Sequence, residues 1–409
     1  MKIFDQYKGL SKEVYIVCTS KLLQTMGAFI WPLFVLILQD KVKLTEGEIT
    51  IYLVISMIVG LVSSLLGGLL SDKFGKKRTI VVFEFLAMIS FLSIIFFDIG
   101  IITALLLMVG MFFFGLSGPS HEALLANVTK TEERESAYSL IYLALNLGVV
   151  IGPAVGAMLL ENHFNLFITI DVLTTFTGWL LLVLFVKEKN VDVIVNEFER
   201  EAEGSLFRII LDRPVIIFYG ILAFFTSFAY GQLDLTLPLY VNHLFEEGVK
   251  IFGFLYSTNG LTVVLGTAFI TYILRKKSAL NKIFIGFTLY VFTFFVYSLT
   301  ESLYIFFILM IIFTIGEIII SIGVAPILSK IVPTNILGRI AGAMTLFYMS
   351  GHMAATILTG SLIESGYSFR NIWLIVATVS LFGYVYFFFF KIKYGSIIDK
   401  VDSLDKNRQ

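Results

Sequence analysis

The chain has 409 residues, of which 57% are apolar and only 15% charged. Soluble domains carry about 25% charged residues, so this composition excludes an ordinary globular enzyme and predicts a polytopic membrane protein. Thirty cations balance thirty acids, leaving no basic surplus for nucleic acid, and the lone cysteine, Cys18, excludes an internal disulfide or a cysteine-built metal site.

The N-terminal residues are polar, and the apolar stretch after them is longer than a signal-peptide core with no Ala-x-Ala site behind it. An uncleaved start is expected. No lipidation motif occurs at either end. A helix that crosses a bilayer needs about 20 apolar residues. That window predicts twelve spans, at 14–38, 48–70, 78–97, 101–127, 137–160, 164–186, 214–241, 251–275, 281–299, 303–330, 337–363 and 370–393. With the N-terminus inside, the outer loops hold only Lys41, Lys43, Lys250 and Arg370. Lys21 falls within the membrane, and the other 25 of 30 cations lie on the inner side. This bias predicts a cell-membrane protein with both termini cytoplasmic.

The longest non-apolar stretch, 187–213, separates six spans from six. It predicts an all-α membrane fold of two six-helix bundles, 1–186 and 214–393, with a cytoplasmic linker between them and a tail at 394–409. The segment around Phe207–Leu211 is apolar enough to lie along the membrane surface. A faint repeat relates the halves. Trp31-Pro32-Leu33-Phe34-Val35 parallels Leu237-Pro238-Leu239-Tyr240-Val241, and Arg134 after span 4 parallels Arg339 after span 10.

Residues 67–78 read Gly-Gly-Leu-Leu-Ser-Asp-Lys-Phe-Gly-Lys-Lys-Arg, between spans 2 and 3. Four cations in so short a stretch require a tight loop at one membrane face. The glycines at 67 and 68 allow a close helix approach, Asp72 offers an acceptor to the amides of another helix's N-terminus, and Gly75 permits the reversal. The loop resembles the signature motif of the major facilitator superfamily through Gly68, Leu70, Asp72, Gly75, Lys76, Lys77 and Arg78. The resemblance implies a gating role for these residues and for Arg134. One departure is Asn127, which stands where many relatives carry an acid, leaving Glu132 or Glu133 to supply charge there. Span 5 contains Gly148-Val-Val-Ile-Gly152-Pro153-Ala-Val-Gly156, whose glycines share a face while Pro153 bends the helix. It is similar to the motif of the drug:proton antiporter branch, with Ala157 in place of the last glycine, and it favours antiport over symport.

Charge at membrane depth costs at least about 2.5–3.5 kcal/mol and points to function. Glu317, in the middle of span 10, shares a face with Ser321. Asp234, in the outer half of span 7, continues a Tyr230, Asp234, Pro238 stripe. The Gly-Glu pair of span 10 and the position of Asp234 resemble those of twelve-span multidrug transporters, which implies proton coupling at both. Lys21 and Gln24 lie one turn apart on span 1, and Glu122 lies at similar depth on span 4, so Lys21 and Glu122 are a candidate pair. With Tyr230 and Asn146 they make the expected substrate-facing set. Helix-to-helix contacts are the expected roles of Glu84, Asp171, His121 and His352. His121 lacks the second histidine of a zinc motif.

The resemblance implies a major facilitator fold and a monomeric secondary transporter. It is expected to exchange protons for lipophilic or cationic small molecules by alternating access, with lipid bilayer, substrate and protons as its partners. No cofactor, metal or enzymatic activity is expected, and without a phosphate-binding loop the proton gradient is the expected driving force. The alternatives are a proton-coupled carrier of a sugar, peptide or lipid on the same fold, a membrane-embedded enzyme, and a receptor.

Overall fold

A computed structural model describes residues 7–130, 133–187, 214–332 and 337–406. Every regular element among the described residues is helical. Among the described residues, eleven stretches are long and apolar enough to cross a membrane. In chain order these are α3 (Glu46–Phe74), α4 (Lys76–Ser93), α5 (Ile101–Val128), α6 (Arg134–Leu160), α7 (Phe164–Phe185), α8 (Pro214–Tyr230) continued by α9 (Thr236–Leu244), α10 (Gly248–Leu274), α11 (Ala279–Tyr297), α12 (Leu303–Ile331), α13 (Leu337–Glu364) and α14 (Phe369–Lys406). Leu65, Leu69, Leu265, Phe269 and Tyr304 are 64% to 82% exposed, an apolar surface suited to lipid.

The first apolar segment, 14–38, is not one continuous helix, so the predicted count of twelve does not appear as twelve uninterrupted spans. α1 (Lys12–Met26) ends at Gly27, and α2 (Phe34–Leu36) resumes beyond it and passes into a π-helical turn at Ile37–Val42. Two residues account for the break. Pro32 has no amide hydrogen and its ring collides with the carbonyl four residues back. At Gly27 an added Cβ would lie 1.8 Å from Thr174 Oγ1 of α7, so only glycine lets the strands of chain pass this closely. The segment is apolar throughout, which is why hydropathy alone reads it as a single span.

Contacts group α1 to α7 with Leu237–Val264, that is, with α9 and the first part of α10. The remaining helices form a second group. This partition differs from the predicted division at 187–213, and most of that linker, including Phe207–Leu211, lies outside the described residues. α14 runs on past the predicted bundle end at 393, through Lys406.

Small residues set the spacing in the first group. Gly148 of α6 faces Thr25 and Met26, Gly152 faces the carbonyls of both, and Gly156 faces Phe29 and Leu33. The glycine stripe of span 5 is therefore the seat on which the end of α1 and its interruption rest. The next face of α6 receives Gly253 and Gly260 of α10, which touch Pro153, Ala157 and Val149. Pro153 deletes one helical hydrogen bond, and the amide after it, Ala154 N–H, donates to Ser257 Oγ of α10 at 3.1 Å. At the end of α9, Asn242 Nδ2 donates to Gln39 Oε1 at 2.9 Å and to Asp40 Oδ1 at 3.2 Å.

In the signature loop, Gly67 makes the close approach: a Cβ there would lie 2.3 Å from Leu116 O of α5, while Gly68 has nothing within 4 Å. Gly75 adopts φ +90° and turns α3 into α4. In the second group, α11 and α12 meet at Gly286 and Gly316, where a Cβ on Gly286 would lie 2.8 Å from Gly316 O. A column of aromatic rings runs beside them. Tyr290 stacks on Phe313 at 4.6 Å, Phe294 on Trp373 at 5.7 Å, and Tyr297 lies 4.8 Å from Trp373.

Glycine at 152 faces backbone, which has little freedom to give. Gly152→Leu is expected to lose about 1–3 kcal/mol or more through overpacking, whereas Gly68→Ala, in open space, is expected to match or exceed the wild type because alanine favours the helix. Thermal midpoints of the detergent-purified proteins, read by fluorescence-detected gel filtration, test the contrast. Equal midpoints for the two variants would show that the stripe does not seat α1.

Candidate functional site

Three polar centres lie among the helices. The first occupies the interruption between α8 and α9. A 3-10 turn at Gly231–Leu233 replaces the helix there, and Pro238 cannot donate to the carbonyl four residues before it, that of Asp234. Gln232 supplies substitute partners: its Nε2 donates to Phe228 O at 3.1 Å and its Oε1 accepts from Thr236 Oγ1 at 2.6 Å. The turn also breaks the helical stripe expected of Tyr230, Asp234 and Pro238. Asp234 instead meets α13, with His352 Nε2 2.7 Å from Asp234 Oδ2. Gly231 lies against α13 beside this pair, where an added Cβ would lie 3.0 Å from Ala355 Cβ. Both side chains keep some access, 18% for His352 and 28% for Asp234.

Glu317 of α12 belongs to the same neighbourhood. Asp234 and Glu317 both lie within electrostatic reach of the Tyr348 hydroxyl on α13, and Glu317 also acts on Tyr290. Phe313, one turn before Glu317, is 6.4 Å from the ring of Tyr230. The two acids singled out from the sequence thus act on one hydroxyl, that of Tyr348, and Asp234 is paired with a histidine for which the sequence predicts only a helix contact.

The second centre crosses α1, α4 and α5. Lys21 Nζ donates to Gln24 Oε1 at 3.0 Å, Gln24 Nε2 donates to Glu84 Oε2 at 3.2 Å, and His121 Nε2 lies 2.6 Å from Glu84 Oε1. Glu84 is 1% exposed and His121 8%. The sequence pairs Lys21 with Glu122. In the structure Glu122 is exposed, and the carboxylate that acts on Lys21 is Glu84. Asn146 bonds back to Tyr142 O of its own helix at 2.9 Å.

The third centre is Asp171 of α7, 4% exposed. Its Oδ2 accepts from Phe29 N–H at 2.8 Å and Ile30 N–H at 3.0 Å. Those two amides belong to the interruption after α1, and Phe29 N–H is shared with Gly27 O at 2.8 Å. No local signal in the sequence could have disclosed this, because the partners are 142 and 141 residues apart.

In the signature loop, Lys77 Nζ donates to Val183 O at 2.8 Å and Val186 O at 2.7 Å, satisfying carbonyls at the end of α7. A cation at a helix C-terminus also complements its dipole. Asp72, Arg78 and Arg134 are exposed, Lys76 and Asn127 half-buried. Glu133 Oε1 accepts from Lys130 Nζ at 3.2 Å, and Glu132 lies outside the described residues. Among the described residues no group of three or more metal-binding side chains occurs.

Replacing Asp171 by Ala orphans the buried Ile30 amide at about 1–3 kcal/mol, while Phe29 N–H keeps Gly27 O at 2.8 Å. Asp171→Ala is therefore expected to lose about 1–3 kcal/mol of stability, and Asp171→Asn, which keeps an acceptor oxygen, clearly less. Thermal unfolding without substrate measures both. Identical losses would mean that the carboxylate does not hold the amides.

Residues 17–356 match the family profile described as Major Facilitator Superfamily. Relatives include a Na(+), Li(+), K(+)/H(+) antiporter of Planococcus maritimus, 27% identical over 84% of this chain and 88% of that protein. Multidrug resistance protein MdtH of Yersinia enterocolitica is 24% identical over 60% of this chain and 59% of its own length. Among solved structures, the POT family transporter PepTSo superposes with a TM-score of 0.75 at 14% identity, covering 94% of this chain and 98% of that one. A nucleoside transporter, NupG, gives 0.74 at 12% identity, covering 93% and 100%. At such identities the superpositions speak for the fold alone, and the profile speaks for the lineage. From span 1 into α13 the match is continuous, and the chain belongs to the Major Facilitator Superfamily of membrane transporters.

Proposed function

We propose that this transporter is a proton-coupled antiporter that expels lipophilic or cationic small molecules. What supports the reading is that Asp234, paired with His352, and Glu317 both act electrostatically on Tyr348, near the rings of Tyr230, Tyr290 and Phe313. A carboxylate at membrane depth needs either a proton or a cation beside it. The two ligands exclude each other at one oxygen pair, which is the requirement for exchange. Aromatic faces add attraction for a flat or organic cation. In this reading Asp234 and Glu317 carry the protons, and His352 holds Asp234 while no cargo is present.

Alternating access of the kind expected of this superfamily would present the acids to each side of the membrane in turn. Counting the interrupted first span gives twelve crossings, a monomer in the cell membrane with both termini in the cytoplasm, as the distribution of cations implies. No cofactor is needed. The membrane potential adds about 2.3 kcal/mol per net charge moved per 100 mV. Lys21, Gln24, Glu122, Tyr230 and Asn146 are assigned to the cargo path. Gly68, Asp72, Gly75, Lys76, Lys77, Arg78 and Arg134 are assigned to gating, where Lys77 ties the loop to α7. Gly148, Gly152, Pro153 and Gly156 are assigned to the hinge of the first half.

A second reading rests on the Planococcus relative, which aligns over most of both chains and is named for exchange of alkali cations. On that reading the cargo is an inorganic monovalent cation at the same carboxylates. Proteoliposomes with an imposed pH gradient separate the two. Uphill movement of tetraphenylphosphonium supports the organic cargo, and uphill movement of Na(+) or K(+) alone supports the inorganic one. In either case Glu317→Gln and Asp234→Asn are expected to lose uphill transport about tenfold or more, the effect of removing one charge-assisted contact. Variants that concentrate cargo as well as the wild type would refute the assignment of the two acids.

A further inference from the structure

Of the centre at Glu84, the function proposed above uses Lys21 and Gln24 but gives Glu84 and His121 no part, and the geometry of those two is unusual for a packing contact. One carboxylate, almost fully buried, is shared by two helices: its Oε1 faces His121 of α5 at 2.6 Å and its Oε2 accepts from Gln24 of α1 at 3.2 Å. Gln24 in turn takes the ammonium of Lys21 at 3.0 Å. His121 Nδ1 is buried and has no hydrogen-bond partner among the described residues. With Nε2–H given to Glu84, Nδ1 carries an unused lone pair. An orphaned acceptor in a buried network is costly, and protonation makes it an N–H donor that water can serve once the cluster opens.

The charges that face this pair come from few elements. α1 contributes Lys21 and the neutral Gln24. α5 contributes His121 itself, while its neighbour Glu122 is exposed. On α7, the indole N–H of Trp179 is given to Val81 O of α4 at 3.0 Å. The groups acting on Glu84 and His121 are each other, Lys21 and Gln24, with no charge from α3 or α7. Glu84 attracts a positive imidazole and Lys21 repels one. A buried cluster is cheapest when it is neutral overall, so Glu84 tolerates one cation beside it at a time. Lys21, half-buried on a long flexible stem, can withdraw. It lies on the turns of α1 that lead into the interruption at Gly27.

We propose that Lys21 and His121 compete for Glu84, making this cluster a second proton-binding site in which His121 Nδ1 takes up a proton when α1 carries Lys21 away. The proton comes from water on the side to which the cluster then opens and adds to the Nδ1 lone pair. Nε2–H stays with Glu84, which keeps its charge throughout. When Lys21 returns, Nδ1 releases the proton to water and the ammonium again balances the carboxylate. The site thereby converts a displacement of the first span into uptake or release of one proton. Only the purpose of that proton rests on the antiport reading.

The test needs neither cargo nor a gradient. The full-length protein in lipid nanodiscs, labelled with 15N-histidine, has four histidines, and the signal of His121 is assigned by its loss in His121→Gln. If that variant does not accumulate, the signals of His163, His243 and His352 are removed in turn instead. Imidazole charge is followed over about pH 5–9, the range in which histidine ordinarily titrates. In Lys21→Gln the ratio of charged to neutral His121 at a given pH is expected to rise at least about tenfold over wild type, a change of about one pH unit. In the double variant Lys21→Gln/Glu84→Gln that gain is expected to vanish. Asp234→Asn and Glu317→Gln are expected to leave the His121 titration unchanged even if they abolish transport, so the two proposals can fail separately. A His121 signal that ignores the loss of Lys21, or a gain that survives the loss of Glu84, would overturn the inference.

Discussion

A helix interrupted inside hydrocarbon exposes amides and carbonyls that lipid cannot satisfy. Both interruptions in this chain are placed where side chains take over. After α1, the carboxylate of Asp171 receives the amides of Phe29 and Ile30. After α8, Gln232 serves Phe228 and Thr236, and Asp234 is held by His352. Each break precedes a proline, Pro32 or Pro238, within the segments whose sequences repeat. The two breaks thus fall at matching places in the similar segments, and different side chains serve each.

Around these breaks the packing follows from small residues. Gly148, Gly152 and Gly156 let α6 lie against the end of α1, and Gly253 and Gly260 let α10 lie against α6. In a membrane, where apolar burial drives helices together only weakly, close backbone approach and interhelical hydrogen bonds carry more of the association. Ala154 N–H to Ser257 Oγ is such a bond, placed where Pro153 has loosened the helix. Rigidity and freedom to bend therefore come from the same five-residue neighbourhood of α6.

Much of the frame was legible in the sequence because it depends on local composition. Apolar length placed α3 to α8 and α10 to α14, and the cation-rich turn with Gly75 located the α3–α4 reversal. Continuity of the first span was misread because Gly-Ala-Phe-Ile-Trp-Pro-Leu is as apolar as a helix, and only Pro32 hinted at the break. The close contact of Gly67 in place of Gly68 depends on which face α3 turns to α5, and one sequence does not reveal that rotation. Residue pairing was least legible. Glu84, His121 and Lys21 lie on three helices, and nothing in their spacing indicates that Lys21 is coupled to Glu84 while Glu122 points outward. Asp234 and Glu317 were legible singly, since each is an acid in an apolar run. His352 as the partner of Asp234 was not, because it depends on the register of α13 against α8.

The grouping of Leu237–Val264 with the first seven helices bears on biogenesis. When the ribosome has finished α7, one face of α6 still lacks Gly253, Ser257 and Gly260, which are encoded well beyond the midpoint of the chain. The leading half must wait in the bilayer, incompletely assembled, until the trailing half delivers that wall. Severing the polypeptide between its halves therefore yields two fragments that must be made together, each unfinished without the other.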